Sequence, residues 1–391
     1  MSLNPVIEKL GRPIRLALIG GGPGSFIGRM HRSAGRLDGH YEIVAGVLSS
    51  DPEKSRNAGM EIGLPENRSY SDVSDMLSAE TKRRDGADAV AIMTPNKYHH
   101  PYAVAAMKAG FDVICDKPIT NTIEDAEEIV RTAEETGQVF CLTHNYSGYP
   151  LVRQARAMVE AGEIGTLRLV QVEYVQGGKA DESKKDDPKA HRGWKYDPEL
   201  SGPSLVLGDI GTHAHQLLRY ITGKEVLEVA AEVGAIVPGR IVHDFAGAML
   251  RMEGGARGIF WVTQAAAGIE NSLKIRVSGN KGSLEWWQEI PQRLYFHPLG
   301  LPAQIRTPNG PGTYPASSRV CRVVAGHPEG FPEAFANIYA DAAEAIASRI
   351  TETEPDPLAM TFPTAEDGLA GMRFTFACLK SSENRGAWTS L

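Results

Sequence analysis

Cysteine is scarce and scattered. Cys115, Cys141, Cys321 and Cys378 are the whole complement, and no two stand at CxxC spacing. That argues against a disulfide framework or a clustered zinc site, and reduced, mostly buried thiols are expected. A basic surplus is also absent. Lys and Arg number 41 against 48 Asp and Glu, a formal net charge of −7. Such a chain lacks the positive face that a nucleic acid partner favours. No apolar run approaches the ~20 residues of a membrane helix. The opening stretch, Met1 to Lys9, is too polar for a secretory signal. A soluble cytoplasmic protein without nucleic acid or membrane partners is expected. The His, Asp and Glu residues never fall at metal-ligand spacing, so no metal is expected. Internal repeats and low-complexity tracts are missing too.

What is present is ordinary globular composition, 42% hydrophobic and 23% charged over 391 residues. That length suggests two domains. Residues 14–146 alternate short apolar runs with helical stretches. The runs are 14–19, 41–47, 87–93 and 112–115, each closed by glycine, proline or polar residues. Helices are expected at 29–37, at 101–109 ending at Gly110, and from about 123 to 135. The last has Thr122 and Asp125 at capping-box-like spacing and Gly137 at its end. This alternation implies a doubly wound parallel sheet, α/β in class, covered on both faces.

After Tyr149 the texture changes. A helix is expected at 151–161 and a strand at 167–175. Residues 248–252 and 258–262 flank a Glu-Gly-Gly turn, and 274–277 and 283–287 flank Gly279-Asn280-Lys281-Gly282. Both read as hairpins. The second half is therefore expected to be an α+β domain with an open, mostly antiparallel sheet and helices on one face. A last helix is expected over 334–348. The boundaries are placed at 13–147 and 148–391. The first domain binds a dinucleotide in this reading; the second binds substrate and forms the oligomer contact. The charged stretch 179–195 and the Pro- and Gly-rich stretch 297–332 read as long loops.

The first strand runs into Gly20-Gly21-Gly22-Pro23-Gly24-Ser25-Phe26-Ile27-Gly28. Glycines let a backbone turn sharply against a pyrophosphate, and a helix N-terminus stabilises its charge. Taking Gly20 and Gly22 as the first two glycines of G-x-G-x-x-G, the third comes late, as Gly28. Gly20, Gly22, Gly24, Ser25, Phe26 and Ile27 are thus cofactor candidates. An acidic residue after the second strand usually holds the ribose 2′-hydroxyl of NAD. Aligned on Asp51-Pro52-Glu53, that position is Ser49, and Lys54 or Arg56 stands near to neutralise a 2′-phosphate. NAD or NADP is expected, with NADP slightly favoured. Thr94-Pro95-Asn96, followed by His99, and Asp116-Lys117-Pro118 each come just past a strand, where ligands sit in such sheets.

These motifs, in this order and followed by Asp209-Ile210-Gly211-Thr212-His213, resemble the glucose-fructose oxidoreductase and inositol dehydrogenase family. The resemblance covers nearly the whole chain. It departs where Asp116 replaces a glutamate, where the glycine loop is widened, and where Gln216 replaces an aspartate. It implies a Rossmann domain and hydride transfer between NAD(P) and a secondary hydroxyl carbon of a sugar, glycoside or inositol-like polyol. It implies that Lys117 donates a hydrogen bond to the reacting oxygen and that His213 is the general base. Asp209 would orient the imidazole or meet a substrate hydroxyl. His144, Asn145, Tyr146, Trp194, Lys195 and His215 are further pocket candidates. A homodimer or homotetramer through the open sheet face is expected, with Trp261 and the Trp286-Trp287 pair as candidates. Two rivals share the fold: an NAD-dependent glycosidase and a non-catalytic dinucleotide sensor.

Overall fold

A computed structural model describes residues 4–181 and 193–391. In chain order the elements begin with α1 (Pro5–Leu10), β1 (Ile14–Gly20), α2 (Phe26–Leu37), β2 (Tyr41–Val47), α3 (Pro52–Glu61) and α4 (Val73–Glu80). Next come β3 (Ala89–Met93), α5 (His99–Lys108), β4 (Asp112–Cys115), α6 (Ile123–Thr136) and β5 (Phe140–Leu142). There follow α7 (Pro150–Glu160), β6 (Leu167–Val175), α8 (Pro198–Ser201), α9 (Thr212–Thr222), β7 (Val226–Gly234), β8 (Phe245–Met252) and β9 (Arg257–Thr263). The chain closes with β10 (Ser272–Gly279), β11 (Gly282–Trp287), β12 (Leu294–Pro298), β13 (Gln304–Arg306), α10 (Pro315–Ser318), α11 (Phe331–Thr351), α12 (Ala365–Glu383) and β14 (Thr389–Ser390).

These elements form two compact units. One holds the chain up to Asn145 together with Phe331–Leu369; the other holds Tyr146–Gly330 together with Ala370–Leu391.

The first unit is built on a parallel sheet in the order β2-β1-β3-β4-β5. The strands are short and almost wholly apolar because both faces are covered. Ser25 caps α2, its Oγ accepting from Gly28 N at 3.1 Å. Thr122 caps α6 in the same way, and α6 ends at Gly137 in the left-handed region. Gly20 and Gly21, at φ 81° and 65°, turn the chain out of β1. A side chain on Gly20 would meet Met93 O at 2.7 Å.

Helix α11 belongs to this first unit, although the sequence reading placed it in the second. The reason is packing. Its Phe335 and Tyr339 rings sit 4.9 and 5.7 Å from the His31 ring of α2. The Tyr339 hydroxyl meets His31 Nδ1 at 2.6 Å, and Tyr41 Oη donates to Tyr339 O at 2.9 Å. Burial drives the His31 pKa down to about 4. The neutral ring is thus part of the packed interior.

The second unit carries a nine-stranded sheet in the order β13-β12-β11-β10-β6-β9-β8-β7-β14. Only the β6–β9 pairing is parallel among its named ladders. Both expected hairpins are present, as β8–β9 and β10–β11. Residues alternate along them: Gly258, Phe260 and Val262 face inward while Ile259 and Trp261 face out. Across the ladder, Met249 pairs with Ile259 and Gly247 with Trp261, and Leu169 opposes Arg257 on the same outward face. Leu169, Met249, Ile259 and Trp261 remain exposed there. Of the pair Trp286-Trp287, only Trp287 lies on that face, in register with Trp261 through Lys274 and Glu173. Trp286 is fully buried against the Tyr149 ring at 5.2 Å, because alternation sends the two indoles to opposite faces.

Several elements escaped the sequence reading, among them α1, α4, β5, β7 and β12, β13 and α10 inside the Pro- and Gly-rich stretch, and the long helix α12. Of the charged stretch 179–195, residues 182–192 lie outside the described ones. Cys115, Cys141 and Cys378 are buried, Cys321 is partly so, and all four are free thiols. Among the described residues, no helix is long and apolar enough to cross a membrane.

Candidate functional site

In the first unit the candidates gather at the carboxyl ends of β1, β3 and β4. The glycine turn leads straight into α2, whose first amides, those of Phe26 and Ile27, have no helical partner. Gly28 lies one turn in and against the turn itself: a Cβ there would strike the Gly21 carbonyl. It therefore lets helix and strand approach, the task of a third glycine, despite its late position. Gly22 comes close to Leu48 O, which a Cβ would meet at 2.6 Å. Arg32, one turn further along α2, donates to the Gly21 carbonyl. This cradle, with orphan amides at a helix N-terminus, fits a dinucleotide pyrophosphate.

Ser49 lies two residues past β2. Its Oγ accepts from Asp51 N at 3.1 Å, and Asp51 in turn caps α3 by accepting from Lys54 N at 2.8 Å. The Lys54 side chain itself is exposed.

The next two turns are joined. Asp116 N donates to Ile92 O, and Thr143 N donates to Cys115 O, both at 2.9 Å. Asp116 Oδ1 accepts from Lys117 N and from Thr143 Oγ1, each at 3.0 Å. This holds the turn that presents Lys117, whose peptide bond to Pro118 is cis. Thr143 had no motif to single it out. His99 is buried, with Nδ1 2.8 Å from Pro118 O and Nε2 2.9 Å from Thr94 O. Both ring nitrogens are used inside the protein, so the expectation that His99 binds cofactor is replaced by a role between two turns. Asn96, His144 and Asn145 are buried as well.

In the second unit, Leu207–Gly211 forms a π-helical turn that runs into α9. Such turns recur at functional sites because they reset the angular spacing of side chains. Here Asp209 is drawn into a polar cluster. Lys195 Nζ donates to Asp209 Oδ1 at 2.8 Å; Lys179 Nζ and Gln264 Nε2 donate to Oδ2 at 3.3 and 2.8 Å. Lys179 Nζ also donates to Gln264 Oε1 at 2.6 Å. Two separately proposed candidates, Asp209 and Lys195, are thus brought together, while Lys179 and Gln264 lie 30 and 55 residues away in sequence, beyond any local motif.

His213 is buried beside an aromatic wall. The Tyr146 ring meets it edge-on at 4.9 Å and the Tyr174 ring lies at 6.4 Å. The Tyr174 hydroxyl donates to Asn271 Oδ1 at 2.8 Å and contacts the Tyr146 hydroxyl at 2.5 Å. Tyr146 must then supply the proton of that contact. Burial raises the pKa of both tyrosines, most strongly that of Tyr174, so both stay neutral. Tyr146 packs against His213 rather than standing in the open as a sugar platform. His215 stacks on Phe374 at 4.3 Å in the interior. Trp194 and Lys195 share a short turn, and both are partly exposed. Among the described residues no cluster of three or more His, Cys, Asp or Glu is placed to hold a metal.

Two family models match in tandem: "Oxidoreductase family, NAD-binding Rossmann fold" over residues 14–144, and "GFO/IDH/MocA C-terminal domain" over residues 152–285. The chain belongs to the GFO/IDH/MocA oxidoreductase family. It is 34% identical to "Uncharacterized oxidoreductase YfiI" of Bacillus subtilis (strain 168), over 97% of each chain. A crystal structure of an oxidoreductase from Sinorhizobium meliloti matches with a TM-score of 0.86 at 45% identity, covering 96% of this chain and 99% of that one. An inositol dehydrogenase homolog from Azotobacter vinelandii, complexed with NADH and myo-inositol, matches with a TM-score of 0.89 at 34% identity. That match covers 98% of this chain and 99% of the other. The first unit is accordingly a GFO/IDH/MocA NAD-binding Rossmann domain.

Proposed function

We propose that this oxidoreductase moves a hydride between NAD(P) and a secondary hydroxyl carbon of a sugar or polyol, with inositol-like rings the first class to test. The observation that carries this reading is the likeness, across nearly the whole chain, to a structure that holds NADH and myo-inositol together. Bound nicotinamide supplies the hydride acceptor. The chain's own residues do the rest. The amides of Phe26 and Ile27 and the turn at Gly20, Gly22, Gly24 and Ser25 hold the pyrophosphate. The turn Thr94-Pro95-Asn96 and the turn Asp116-Lys117-Pro118 flank the nicotinamide end. Lys117 donates a hydrogen bond to the oxygen that is oxidised. His213 accepts the hydroxyl proton. Asp209, clamped by Lys179, Lys195 and Gln264, meets substrate hydroxyls as an acceptor fixed in place.

NADP is favoured modestly over NAD in this reading. Ser49 offers no carboxylate to repel a 2′-phosphate, and Lys54 adds a nearby charge. The outward sheet face with Met249, Ile259 and Trp261 is the contact that builds a homodimer or homotetramer. The deciding experiment strips the cofactor, titrates NAD and NADP by calorimetry, and then screens inositols, sugars and glycosides for reduced cofactor. Saturable dinucleotide binding and net turnover of one polyol class are expected. Failure to bind either dinucleotide overturns the proposal; binding with transient oxidation but no net reduced cofactor points to glycoside cleavage instead.

A further inference from the structure

His99 opens α5 between two functional turns and is almost fully buried. Its two ring nitrogens face two backbone carbonyl oxygens, Pro118 O at 2.8 Å and Thr94 O at 2.9 Å. Carbonyl oxygens only accept hydrogen bonds, and a neutral imidazole carries one N–H. A neutral ring would therefore aim a lone pair at an oxygen lone pair. Turning the ring over offers no escape. That would set ring carbons at about the same distances, well inside the ~3.3–3.6 Å of a C–H···O contact.

The surroundings bear on a second proton. Asp116 and Lys117 face the ring from the turn after β4, and His31 faces it from α2. The carboxylates of α6 nearest α5 are engaged elsewhere: Glu128 and Asp125 lie 2.9 and 3.5 Å from His100. Burial draws the His99 pKa down from the ordinary histidine value, while Asp116 and the two carbonyls pull it up. Burial wins that contest and the net direction is downward; the geometry stands against it, since only the ring protonated on both nitrogens satisfies both short N···O contacts.

We propose that His99 donates from both ring nitrogens and so ties the Thr94 turn to the turn that carries Lys117, acting as a positioning residue for that lysine. The proposal rests on the reading of Lys117 as the donor to the reacting oxygen. Pro118 follows Lys117 directly, so fixing its carbonyl restricts the backbone from which the ammonium reaches out. Thr94 opens the neighbouring turn. A ring that bridges the two sets their separation without touching cofactor or substrate. A structural histidine in an apolar pocket would need neither carbonyl.

Two measurements test it. Neutron diffraction from the full chain, crystallised near neutral pH, should show a deuteron on both Nδ1 and Nε2 of His99. A single deuteron overturns the proposal, whatever any variant does. Kinetics on myo-inositol, or on the polyol that the screen identifies, supply the second arm. His99→Gln keeps one donor end and should lower kcat by tenfold or more, approaching the ~10²-fold of an ångström-scale misplacement. Its dissociation constant for NAD should stay within about threefold of wild type. His99→Leu should be worse in kcat and similar in NAD affinity. Wild-type kcat in a folded His99→Leu protein overturns the positioning role even where both deuterons are seen. Lys117→Ala separates the two readings: normal turnover in that variant removes Lys117 from the mechanism, while the neutron result still judges the donation from His99.

Discussion

Arg349 of α11 forks onto Asp112 of β4, with Nε and Nη2 donating to Oδ1 and Oδ2 at 2.8 and 2.7 Å. The carboxylate is completely buried and also accepts from Val139 N at 2.8 Å. Burial raises the Asp112 pKa to about 6, with Arg349 pulling it down. This pair ties the returning helix to the parallel sheet. Removing the guanidinium strands a buried charge, a change that typically costs ~3–5 kcal/mol. Arg349→Ala is therefore expected to destabilise the first unit by about 3 kcal/mol near neutral pH. The pH dependence has a definite sign. A folded-state pKa above the unfolded value means that the native state holds the proton more tightly. That contribution to stability is present at low pH and is lost as pH rises through about 6. Denaturant titrations at pH 5 and pH 7 should show a smaller pH-dependent loss in Asp112→Asn than in wild type. Equal losses would show that Asp112 does not titrate in this window.

Lys117→Ala and His213→Ala should each lower kcat by ~10²–10⁴-fold with dinucleotide affinity nearly intact. Both are proposed to act on the oxidised hydroxyl rather than on phosphates, so the double variant should lose less than the sum of the single losses. Asp209→Asn keeps the shape of the carboxylate but weakens its hold on Lys179 and Lys195; its kcat should fall between wild type and His213→Ala. Near-normal turnover of His213→Ala across the accessible pH range would leave Lys117 as the leading base.

Cofactor choice should turn on Ser49, two residues past β2. Ser49→Asp places a charge beside the ribose and is expected to weaken NADP at least tenfold while leaving NAD little changed. That contrast should shrink as salt rises, because an exposed charge pair is screened over ~10 Å at 0.1 M. Isothermal titrations of both dinucleotides at two ionic strengths measure it. A wild type that already prefers NAD strongly would show that Ser49 does not stand at the discriminating position.

The outward face of the large sheet makes the fourth prediction. Trp261 is 39% exposed in a row with Met249 and Ile259. Trp261→Glu should convert a sedimenting dimer or tetramer into monomers of 42.3 kDa. A wild type that is monomeric at micromolar concentration would remove this face as an oligomer contact.

Much of this architecture was legible because short apolar runs closed by glycine or proline have few other readings. The strands ending at Gly20, Met93 and Cys115 were visible in that way, and so were both hairpins of the second sheet. Helix α12 was harder. Gly368 and Gly371 interrupt it, and Gly368 is there because a side chain would collide with Ile119. Strand β13 has three residues and sits at a sheet edge, too short for alternation to show. In the site, the motifs marked Lys117, Asp209 and His213, but not what holds them. Tyr174, Asn271 and Gln264 act through partners far along the chain, where sequence spacing carries no signal. Strand alternation alone offered a hint, since Tyr174 shares the inward face of β6 with Val170 and Val172. The domain boundary failed at α11 because an alanine-rich amphipathic helix does not announce which sheet it will cover.

That returning segment has a consequence for synthesis. The first unit lacks Phe331–Leu369 until nearly the whole chain has been made. At ~5–20 residues per second, the ribosome takes roughly ten to forty-five seconds to add the intervening residues and that segment. During that interval α2 presents His31, Met30 and Ala34 without the Phe335 and Tyr339 that cover them. A nascent chain arrested before α11 therefore leaves that face of α2 uncovered, and a fragment truncated there is expected to be less stable than the first unit of the full chain.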